Sequence, residues 1–325
     1  MHFSEKRKRK YFIWVVLALA VFAALYKSNL VPFPAFNKSS SFLHKFTHSN
    51  SQSVSQIYGG SLNSPNAILV RLSDGSVLME KSSDDKIYPA SLTKMMTAIV
   101  AIENLHSLDE RITMPSSMFN ALYKADASMA GFLPGEKVKA EDLLYGILLP
   151  SGAECCIGIA DYVSGSESAF VQKMNEKAKR LGMDNTHFVN ATGLQDENHY
   201  TTVKDLSVLL RYAIKNSTFR KIFTTPRHST AATNKHKNGI TFSSTMFKKM
   251  KSTSVSGGRI LGGKTGYTDE AGLCLASLAK IDGKEYILVT AGAKPGSSSQ
   301  PYNISDAREV YNELNTDRTY PRRCL

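Results

Sequence analysis

The chain has 325 residues, of which 42% are hydrophobic, and its formal net charge is +12. This length and apolar content suffice for one large folded domain or two small ones. The excess positive charge is expected either on a solvated surface or facing an anionic cell envelope. Nucleic acid is not expected as a partner, because the N-terminal pattern directs the chain out of the cytoplasm.

The N-terminus has the pattern of an export or anchoring segment. A basic segment, residues 1–10, precedes residues 11–26, which carry no charge. As a helix this run spans roughly 24 Å, between the length of a signal-peptide core and that of a membrane-spanning helix. Small residues suited to cleavage lie inside the run, so we predict a retained membrane anchor, with a cleaved signal segment and a secreted protein as the alternative. In both cases the remainder is expected outside the cytoplasm.

The next part of the chain changes from a linker to a folded domain. Residues 27–56 are rich in Ser, Asn, His and Phe, which is typical of an extracytoplasmic stalk. Residues 57–316 are expected to form the folded domain, and residues 317–325 a short tail. Within the domain, two apolar runs flank Asp74-Gly75, which predicts a β-hairpin.

Helices are predicted in the middle of the domain and strands near its end. The helical pattern is clearest over four segments, namely residues 141–149, 155–163, 168–181 and 203–214. Three strands then follow as a meander, with Asp282-Gly283 as one turn, and a closing helix comes last: residues 260–265, 273–281, 286–291 and 305–314. Strands at both ends with helices between them predict an α/β (α+β) fold in which the two ends share one sheet.

Ser91-Leu92-Thr93-Lys94 places a serine and a lysine three residues apart, on one face of a helical turn. Residues 95–102 are apolar nearly all round, which predicts a buried helix. An ammonium in such a core is costly unless it is paired or loses its proton. A neutral lysine amine beside a serine hydroxyl is a general base beside a nucleophile, so chemistry is the leading interpretation.

Two later motifs offer the other parts of an acyl-transfer site. Pro150-Ser151-Gly152 marks a loop between two predicted helices, and its serine would serve as a proton shuttle. Lys264-Thr265-Gly266 lies on a predicted strand, whose edge would present N–H groups, a hydroxyl and a cation to a cleft. Gly266 would let a substrate approach that edge closely. The ammonium of this motif would also favour the neutral form of Lys94.

Cysteines and histidines show no metal-binding pattern. Cys155 and Cys156 lie in an apolar helix-like run and are expected to be small buried hydrophobes. A disulfide between Cys274 and Cys324 would be permitted outside the cytoplasm, but the sequence does not establish it. Six of the eight histidines are scattered without the spacing of a metal site and are expected at the surface or in loops: His44, His48, His187, His199, His228 and His236.

The three motifs, in this order, match those of class A β-lactamases and penicillin-binding proteins. The chain resembles the low-molecular-mass penicillin-binding proteins, the serine-type D-Ala-D-Ala carboxypeptidases, over residues 57–315. The resemblance extends to four longer segments, which are YPASLTKMMT at 88–97, LLPSGA at 148–153, FVNATGL at 188–194 and GKTGYT at 263–268.

This resemblance implies a β-lactamase/transpeptidase-like fold, with an antiparallel sheet flanked by helices and an all-helical subdomain. It also implies an enzyme that removes the terminal D-alanine from peptidoglycan stem pentapeptides through an acyl-enzyme. β-Lactam antibiotics would act as inhibitors by trapping the nucleophile. Neither a metal nor another cofactor is expected.

The resemblance also implies a role for each motif residue. Ser91 would attack the carbonyl of the penultimate D-alanine, Lys94 would take its proton, and Ser151 would pass a proton to the departing D-alanine. The substrate-binding residues would be Lys264, Thr265, Gly266 and Tyr267. The first two of these would bind the terminal carboxylate, and the backbone N–H of the last would form the oxyanion hole with that of the nucleophile.

One position departs from the family pattern Ser-x-Asn, which here reads Ser151-Gly152-Ala153. Ala153 has no side-chain amide, and an ionised Glu154 cannot donate a hydrogen bond, so one contact to the substrate or to Lys94 is missing. We still predict an active enzyme. A catalytically weak sensor, which binds a stem peptide or β-lactam without turnover, is one alternative. A class A-like β-lactamase is another, although no Glu-x-x-Leu-Asn segment lies between the second and third motifs.

The end of the chain also differs from many relatives, which continue into a β-rich domain and an amphipathic C-terminal anchor. This sequence ends at Leu325, about ten residues after the closing helix. Membrane attachment is therefore expected to depend on residues 11–26.

Overall fold

The computed structural model describes residues 61–296 and 301–316. The basic segment, the predicted anchor at 11–26, the linker at 27–56 and the tail at 317–325 lie outside the described residues, as does Cys324. No helix within the two described ranges combines the length and the apolar composition needed to cross a bilayer.

The described residues contain ten strands and nine α-helices. The strands are β1 (Asn66–Arg71), β2 (Val77–Lys81), β3 (Arg111–Thr113), β4 (Lys137–Lys139), β5 (Arg227–Ser229), β6 (Thr241–Ser243), β7 (Ser254–Val255), β8 (Gly258–Thr268), β9 (Gly272–Ile281) and β10 (Lys284–Ala293). The helices are α1 (Thr93–Asn104), α2 (Phe119–Lys124), α3 (Ala140–Leu148), α4 (Ala153–Ser164), α5 (Glu167–Leu181), α6 (Val203–Ala213), α7 (Ser217–Phe223), α8 (Thr245–Lys249) and α9 (Tyr302–Thr316).

Six strands form one antiparallel sheet in the order β2-β1-β10-β9-β8-β7. The hairpin at Asp74-Gly75 and the meander of β8, β9 and β10 are confirmed, and β1 pairs with β10, so the two ends of the domain share this sheet. At the second hairpin, Asp282 and Gly283 have φ angles of +47° and +77°. Positive φ at both central residues is the type I′ geometry that Asp-Gly favours.

Both faces of the sheet are covered, because its strands alternate between two cores. On β1, Ile68 and Val70 join a large cluster with the buried faces of α1 and the helices from α3 to α7. Ala67 and Leu69, on the other face, join a smaller cluster with residues of α9. The period of two in strand side chains produces this separation. The sheet therefore lies between a helical body and the closing helix.

The four predicted central helices are confirmed, with each end within two residues of the structure. The helical body is not wholly helical, however, because β3 pairs with β4 and β5 pairs with β6 in two small sheets. These strands are three residues long, too short to show a clear alternation in the sequence. The described region therefore has one main sheet and two small hairpin-like additions to the helical body.

Candidate active site

Ser91 lies in a 3₁₀ turn, Ala90–Leu92, that follows Pro89 and leads directly into α1. Ala90 has a φ of +45°, a left-handed value that is unfavourable for a residue with a Cβ. Such strain is often found at functional sites. Ser91 lines a cleft of about 470 Å³, while α1 is buried from Thr93 to Ala101. The strained turn thus places a serine at the cleft, in front of a buried helix.

Lys94 is the partner of this serine. Its Nζ is 3.0 Å from Ser91 Oγ, and it also donates a hydrogen bond to the carbonyl oxygen of Thr192. Only 3% of the lysine is exposed. Burial is the largest cause and lowers the pKa of Lys94 below its usual value, while the nearby Glu154 carboxylate opposes this effect in part. The environment favours a neutral amine beside the serine hydroxyl.

The loop that supplies the Thr192 carbonyl is organised by Asn190. Its Oδ1 accepts hydrogen bonds from the backbone N–H groups of Thr192 and Gly193, at 3.1 and 2.7 Å, and its Nδ2 donates to Leu194 O. Gly193 has a φ of +79°, and a Cβ on it would lie 2.0 Å from the carbonyl oxygen of Ala90. The loop therefore packs directly against the turn that carries the serine.

Ser151 and Lys264 form a second pair. Lys264 Nζ donates to Ser151 Oγ at 2.9 Å and to Thr265 O at 2.8 Å. Ser151 itself has a φ of +73° just before α4. The lysine was expected at a strand edge facing a cleft, but it is fully buried. Burial, and next the like charge of Lys94, lower the pKa of Lys264 well below its usual value. The like charge of Lys264 was expected to add to the effect of burial on Lys94, but burial is the largest cause of the lowered pKa of Lys94 and Lys264 is not among its main causes.

Gly266 brings β8 against the serine turn. A Cβ at this position would lie 3.1 Å from Ser91 N and 3.2 Å from Pro89 O. On its other side Gly266 is in register with Cys274 of β9, and β7 pairs with β8 only at Gly258 and Arg259. The sequence predicts that a substrate approaches this edge closely, and the structure adds that glycine is also needed for the contact between β8 and the serine turn. The absence of a side chain keeps the backbone N–H of Ser91 near that edge of β8.

The residues that flank Gly266 differ in exposure. Thr265 is nearly buried, and its hydroxyl is 2.7 Å from that of Thr245 in α8. Tyr267 is 47% exposed beside the cleft, and its hydroxyl donates to Asp269 at 2.6 Å. Asp269 also raises the pKa of Tyr267 through this hydrogen bond. Thr265 is thus packed against α8, whereas Tyr267 is open to solvent.

The start of α4 forms another wall of the cleft. Ala153, where the family pattern has Asn, lines the cleft. The neighbouring Glu154 acts as a hydrogen-bond acceptor. Its Oε1 accepts from three backbone N–H groups, those of Ala130, Gly131 and Phe132. Burial raises the pKa of Glu154, although these donors oppose the rise. The carboxylate therefore anchors a neighbouring loop and does not replace the missing amide.

The described cysteines are buried, as predicted for the first two. Cys155 and Cys156 lie within α4, and burial raises the pKa of Cys156 to about 12, so its thiol is neutral at physiological pH. Cys274 is likewise buried and forms no disulfide with another described cysteine. The partner considered for it, Cys324, lies outside the described residues.

One of the six histidines makes a buried contact that the sequence does not indicate. His199 was predicted at the surface or in a loop, and it is in a loop, but only 2% of it is exposed. Its Nε2 is 2.8 Å from Thr93 Oγ1, next to the serine turn. Thr93 and His199 are 106 residues apart, and no local pattern in the sequence indicates that they meet.

The comparisons with known proteins agree with this geometry. A family model described as D-alanyl-D-alanine carboxypeptidase, peptidase S11, matches residues 50–295. The chain therefore belongs to the S11 family of D-alanyl-D-alanine carboxypeptidases.

Two curated relatives illustrate the similarity. D-alanyl-D-alanine carboxypeptidase DacF of Bacillus subtilis is 34% identical over 232 residues, which are 70% of this chain and 57% of the relative. The D-alanyl-D-alanine carboxypeptidase of Streptomyces sp. strain K15 is 34% identical over 246 residues, which are 73% of this chain and 82% of that protein. The chain thus spans little more than half of the Bacillus relative.

The fold is that of the penicillin-binding DD-peptidases. The crystal structure of the Streptomyces K15 DD-transpeptidase matches with a TM-score of 0.70 and 29% identity, covering 79% of this chain and 99% of that one. Penicillin-binding protein 5 of Haemophilus influenzae, at 23% identity and a TM-score of 0.67, covers 78% of this chain and shares the fold.

Proposed function

We propose that this protein is a serine-type D-alanyl-D-alanine carboxypeptidase that removes the terminal D-alanine from peptidoglycan stem pentapeptides. The observation that carries the proposal is the buried Lys94 amine 3.0 Å from the cleft-facing Ser91 hydroxyl. A buried amine with a lowered pKa beside a hydroxyl is the arrangement needed to activate a serine nucleophile. The names of the two curated relatives support the same activity.

In the acylation step, Ser91 Oγ forms a bond to the carbonyl carbon of the penultimate D-alanine as its proton moves to Lys94 Nζ. The backbone N–H groups of Ser91 and Tyr267 would stabilise the developing oxyanion. Their suitability is supported by the contact of β8 with the serine turn at Gly266.

The bond between this carbon and the nitrogen of the terminal D-alanine then breaks, and the nitrogen takes a proton. Ser151, which is hydrogen-bonded to Lys264, would deliver that proton and would receive in exchange the proton that Lys94 took from Ser91, so that Lys94 is neutral again. Because Lys264 is buried, it would help to bind the terminal carboxylate from behind Ser151, and the Thr265 hydroxyl would make the direct contact. Water finally attacks the acyl carbon and gives a proton to Lys94, which returns it to Ser91 Oγ as the acyl bond to the serine breaks and the shortened peptide leaves.

Transpeptidation is a second candidate reaction, supported by the name of the Streptomyces K15 DD-transpeptidase. In that reaction an amine of a second stem peptide replaces water as the acceptor. The sensor alternative is supported by Ala153, which leaves the cleft without the amide of the family pattern. The β-lactamase alternative has no comparable support.

The proposed location is the outer face of the cell membrane. Residues 57–316 would form the catalytic domain, residues 27–56 a stalk, and residues 11–26 either a retained anchor or a cleaved signal. The partners would be the D-Ala-D-Ala end of a stem peptide, β-lactam inhibitors, and the membrane through the N-terminal segment.

The test uses the full chain in mild detergent, with Ser91→Ala as the matched variant. Each protein is incubated with a pentapeptide ending in D-Ala-D-Ala, and released D-alanine is measured. Intact mass is measured separately after exposure to penicillin. The native chain is expected to release D-alanine and to gain one adduct, and the variant to do neither.

Three other outcomes would contradict the proposal in different ways. Penicillin labelling without D-alanine release would support the sensor. Rapid hydrolysis of penicillin without release would support a β-lactamase. An adduct that persists in Ser91→Ala would show that another residue is the nucleophile.

A further inference from the structure

The peptide group between Ala90 and Ser91 is planar, and the Ala90 carbonyl and the Ser91 N–H point in opposite directions within that plane. Its N–H is the proposed oxyanion donor. Its carbonyl accepts a hydrogen bond from Thr93 Oγ1 at 2.8 Å. Fixing the carbonyl therefore fixes the direction of the N–H. The positive φ of Ala90 is an unfavourable backbone state, so this plane depends on restraint from its surroundings.

The restraint extends from Thr93 to His199. His199 Nε2 is 2.8 Å from the Thr93 hydroxyl, and His199 Nδ1 accepts a hydrogen bond from the backbone N–H of Val189 at 3.1 Å. The ring also meets Phe188 edge to face, with centroids 5.6 Å apart. Both ring nitrogens and one ring edge are thus engaged, which holds the imidazole in one orientation.

These contacts define the tautomer. A backbone N–H can only donate, so His199 Nδ1 carries no proton, and in a neutral ring the proton must be on Nε2. The Nε2–H then donates to Thr93 Oγ1, which leaves the hydroxyl proton of Thr93 to donate to Ala90 O. All three hydrogen bonds have a consistent direction, from Val189 through the ring and hydroxyl to Ala90.

The surroundings keep the ring neutral. Burial lowers the pKa of His199 to about 4. Among the charged or titratable groups that face it, Asp196 of the same loop raises the pKa, while His187 and Lys94 lower it. A neutral ring is the state that the chain of hydrogen bonds requires.

We propose that His199 is a positioning residue for the oxyanion site: through the Thr93 hydroxyl it holds the Ala90–Ser91 peptide so that the Ser91 N–H faces the edge of β8 at Gly266. This inference rests on the proposed function. An oxyanion donor acts mainly in the transition state, so its displacement lowers kcat and leaves KM largely unchanged. If His199 had a role in folding alone, its replacement would lower stability but would leave kcat per folded active site unchanged.

The test compares two matched pairs of variants in the full chain. Thr93→Val removes the linking hydroxyl with little change of shape, and Thr93→Ser keeps it. His199→Asn keeps an acceptor near the Nδ1 position but cannot reach Thr93, whereas the longer His199→Gln can place an amide N–H near the Nε2 position. Release of D-alanine from a D-Ala-D-Ala peptide gives kcat and KM, and the adduct yield with penicillin counts the folded active sites.

Thr93→Val and His199→Asn are expected to lower kcat per active site by about 10- to 100-fold, somewhat less than the loss of an oxyanion donor itself. Their KM is expected to stay within about twofold, and Thr93→Ser and His199→Gln are expected to recover most of the rate. Thr290→Val serves as the control, because the Thr290 hydroxyl is buried without a partner among the described residues.

The outcomes separate this inference from the proposed function. A native chain that releases no D-alanine would contradict the function. An active native chain with normal kcat per active site in Thr93→Val would overturn the positioning role, even if the variant unfolds at a lower temperature. If His199→Asn does not fold, the Thr93 pair decides the question alone, since it alters a single hydroxyl.

Discussion

Lys94 is nearly inaccessible to solvent and lies 3.0 Å from Ser91 Oγ. A protonated lysine there has no carboxylate among its described hydrogen-bond partners, which are the Ser91 hydroxyl and the Thr192 carbonyl. The desolvation cost of the ammonium is therefore only partly offset, and the neutral amine becomes accessible at a lower pH than for a lysine in water. Reactivity of the serine should depend on this single proton.

The first prediction concerns that proton. Since Lys94 accepts the serine proton only when neutral, penicillin labelling of the native chain should accelerate as pH rises through the lowered pKa of Lys94, at a midpoint below the usual 10.5. Lys94→Arg cannot lose its proton, so its labelling should be roughly 10²- to 10⁴-fold slower. Labelling rates measured from about pH 5 to about pH 10 check this expectation. A variant with the native rate and pH profile would contradict the assigned base.

His199 leads to a prediction about stability. Burial lowers its pKa from 6.5 to about 4, so between these values the unfolded chain binds a proton that the folded chain does not. Stability is therefore lost as pH falls from about 6.5 to about 4 and levels off below, with a total of roughly 3 kcal/mol. Denaturant unfolding of the native chain and His199→Gln across this range measures the difference. Parallel curves for the two proteins would show that His199 does not carry the effect.

At the scale of elements, β8 and the serine turn work as one unit because glycine at position 266 permits their contact. The atoms that a Cβ would meet there, such as Ser91 N and Pro89 O, belong to the backbone and cannot rotate away. Any added atom must separate the strand from the turn. The strand also carries Lys264 and Thr265, so a shift would move several site residues together.

Gly266→Ala tests this coupling. The methyl group should push β8 and the turn apart by a few tenths of an ångström, and penicillin labelling should slow by about 10- to 100-fold. Gly165→Ala is the matched control, because Gly165 has a φ of +79° and open space around it at the end of α4. The control should lose stability by about 1–2 kcal/mol but label at the native rate. Equal labelling rates in both variants would argue against the coupling.

At the scale of the molecule, the two ends of the described domain are joined twice. β1 pairs with β10 in the sheet, and Asp306 of α9 accepts hydrogen bonds from the backbone and side chains of Asn63 and Ser64. Asp306 is fully buried. Its removal would leave buried donors without a partner, which costs more than the hydrogen bonds contribute in net terms.

Asp306→Ala should therefore lower the free energy of unfolding by roughly 2–4 kcal/mol. The site residues lie in the serine turn and α1, just before α4, and on β8, so the folded fraction should retain its labelling rate at 25 °C. Denaturant unfolding and penicillin labelling of the same sample measure the two quantities. Loss of labelling with unchanged stability would contradict this separation of the closing helix from the site.

The sequence alone determined the local features of this protein. The period of the apolar residues indicated α3 to α6, the Asp-Gly pairs indicated two hairpins, and three short motifs indicated the family. The motif residues could be named because their chemistry and order are local properties of the chain. Helices, hairpin turns and short motifs depend on residues that are close in sequence, so their patterns can be recognised without the rest of the fold.

Only the tertiary structure decided the surroundings of those residues. It buried Lys264 against Ser151, packed the serine turn against Gly266, and brought His199 to Thr93. Each of these contacts joins residues about a hundred or more positions apart, and β3 to β6 are too short to be recognised by their pattern. Burial, pKa and hydrogen-bond direction depend on what surrounds a side chain in space, and local periodicity carries no information about such distant partners.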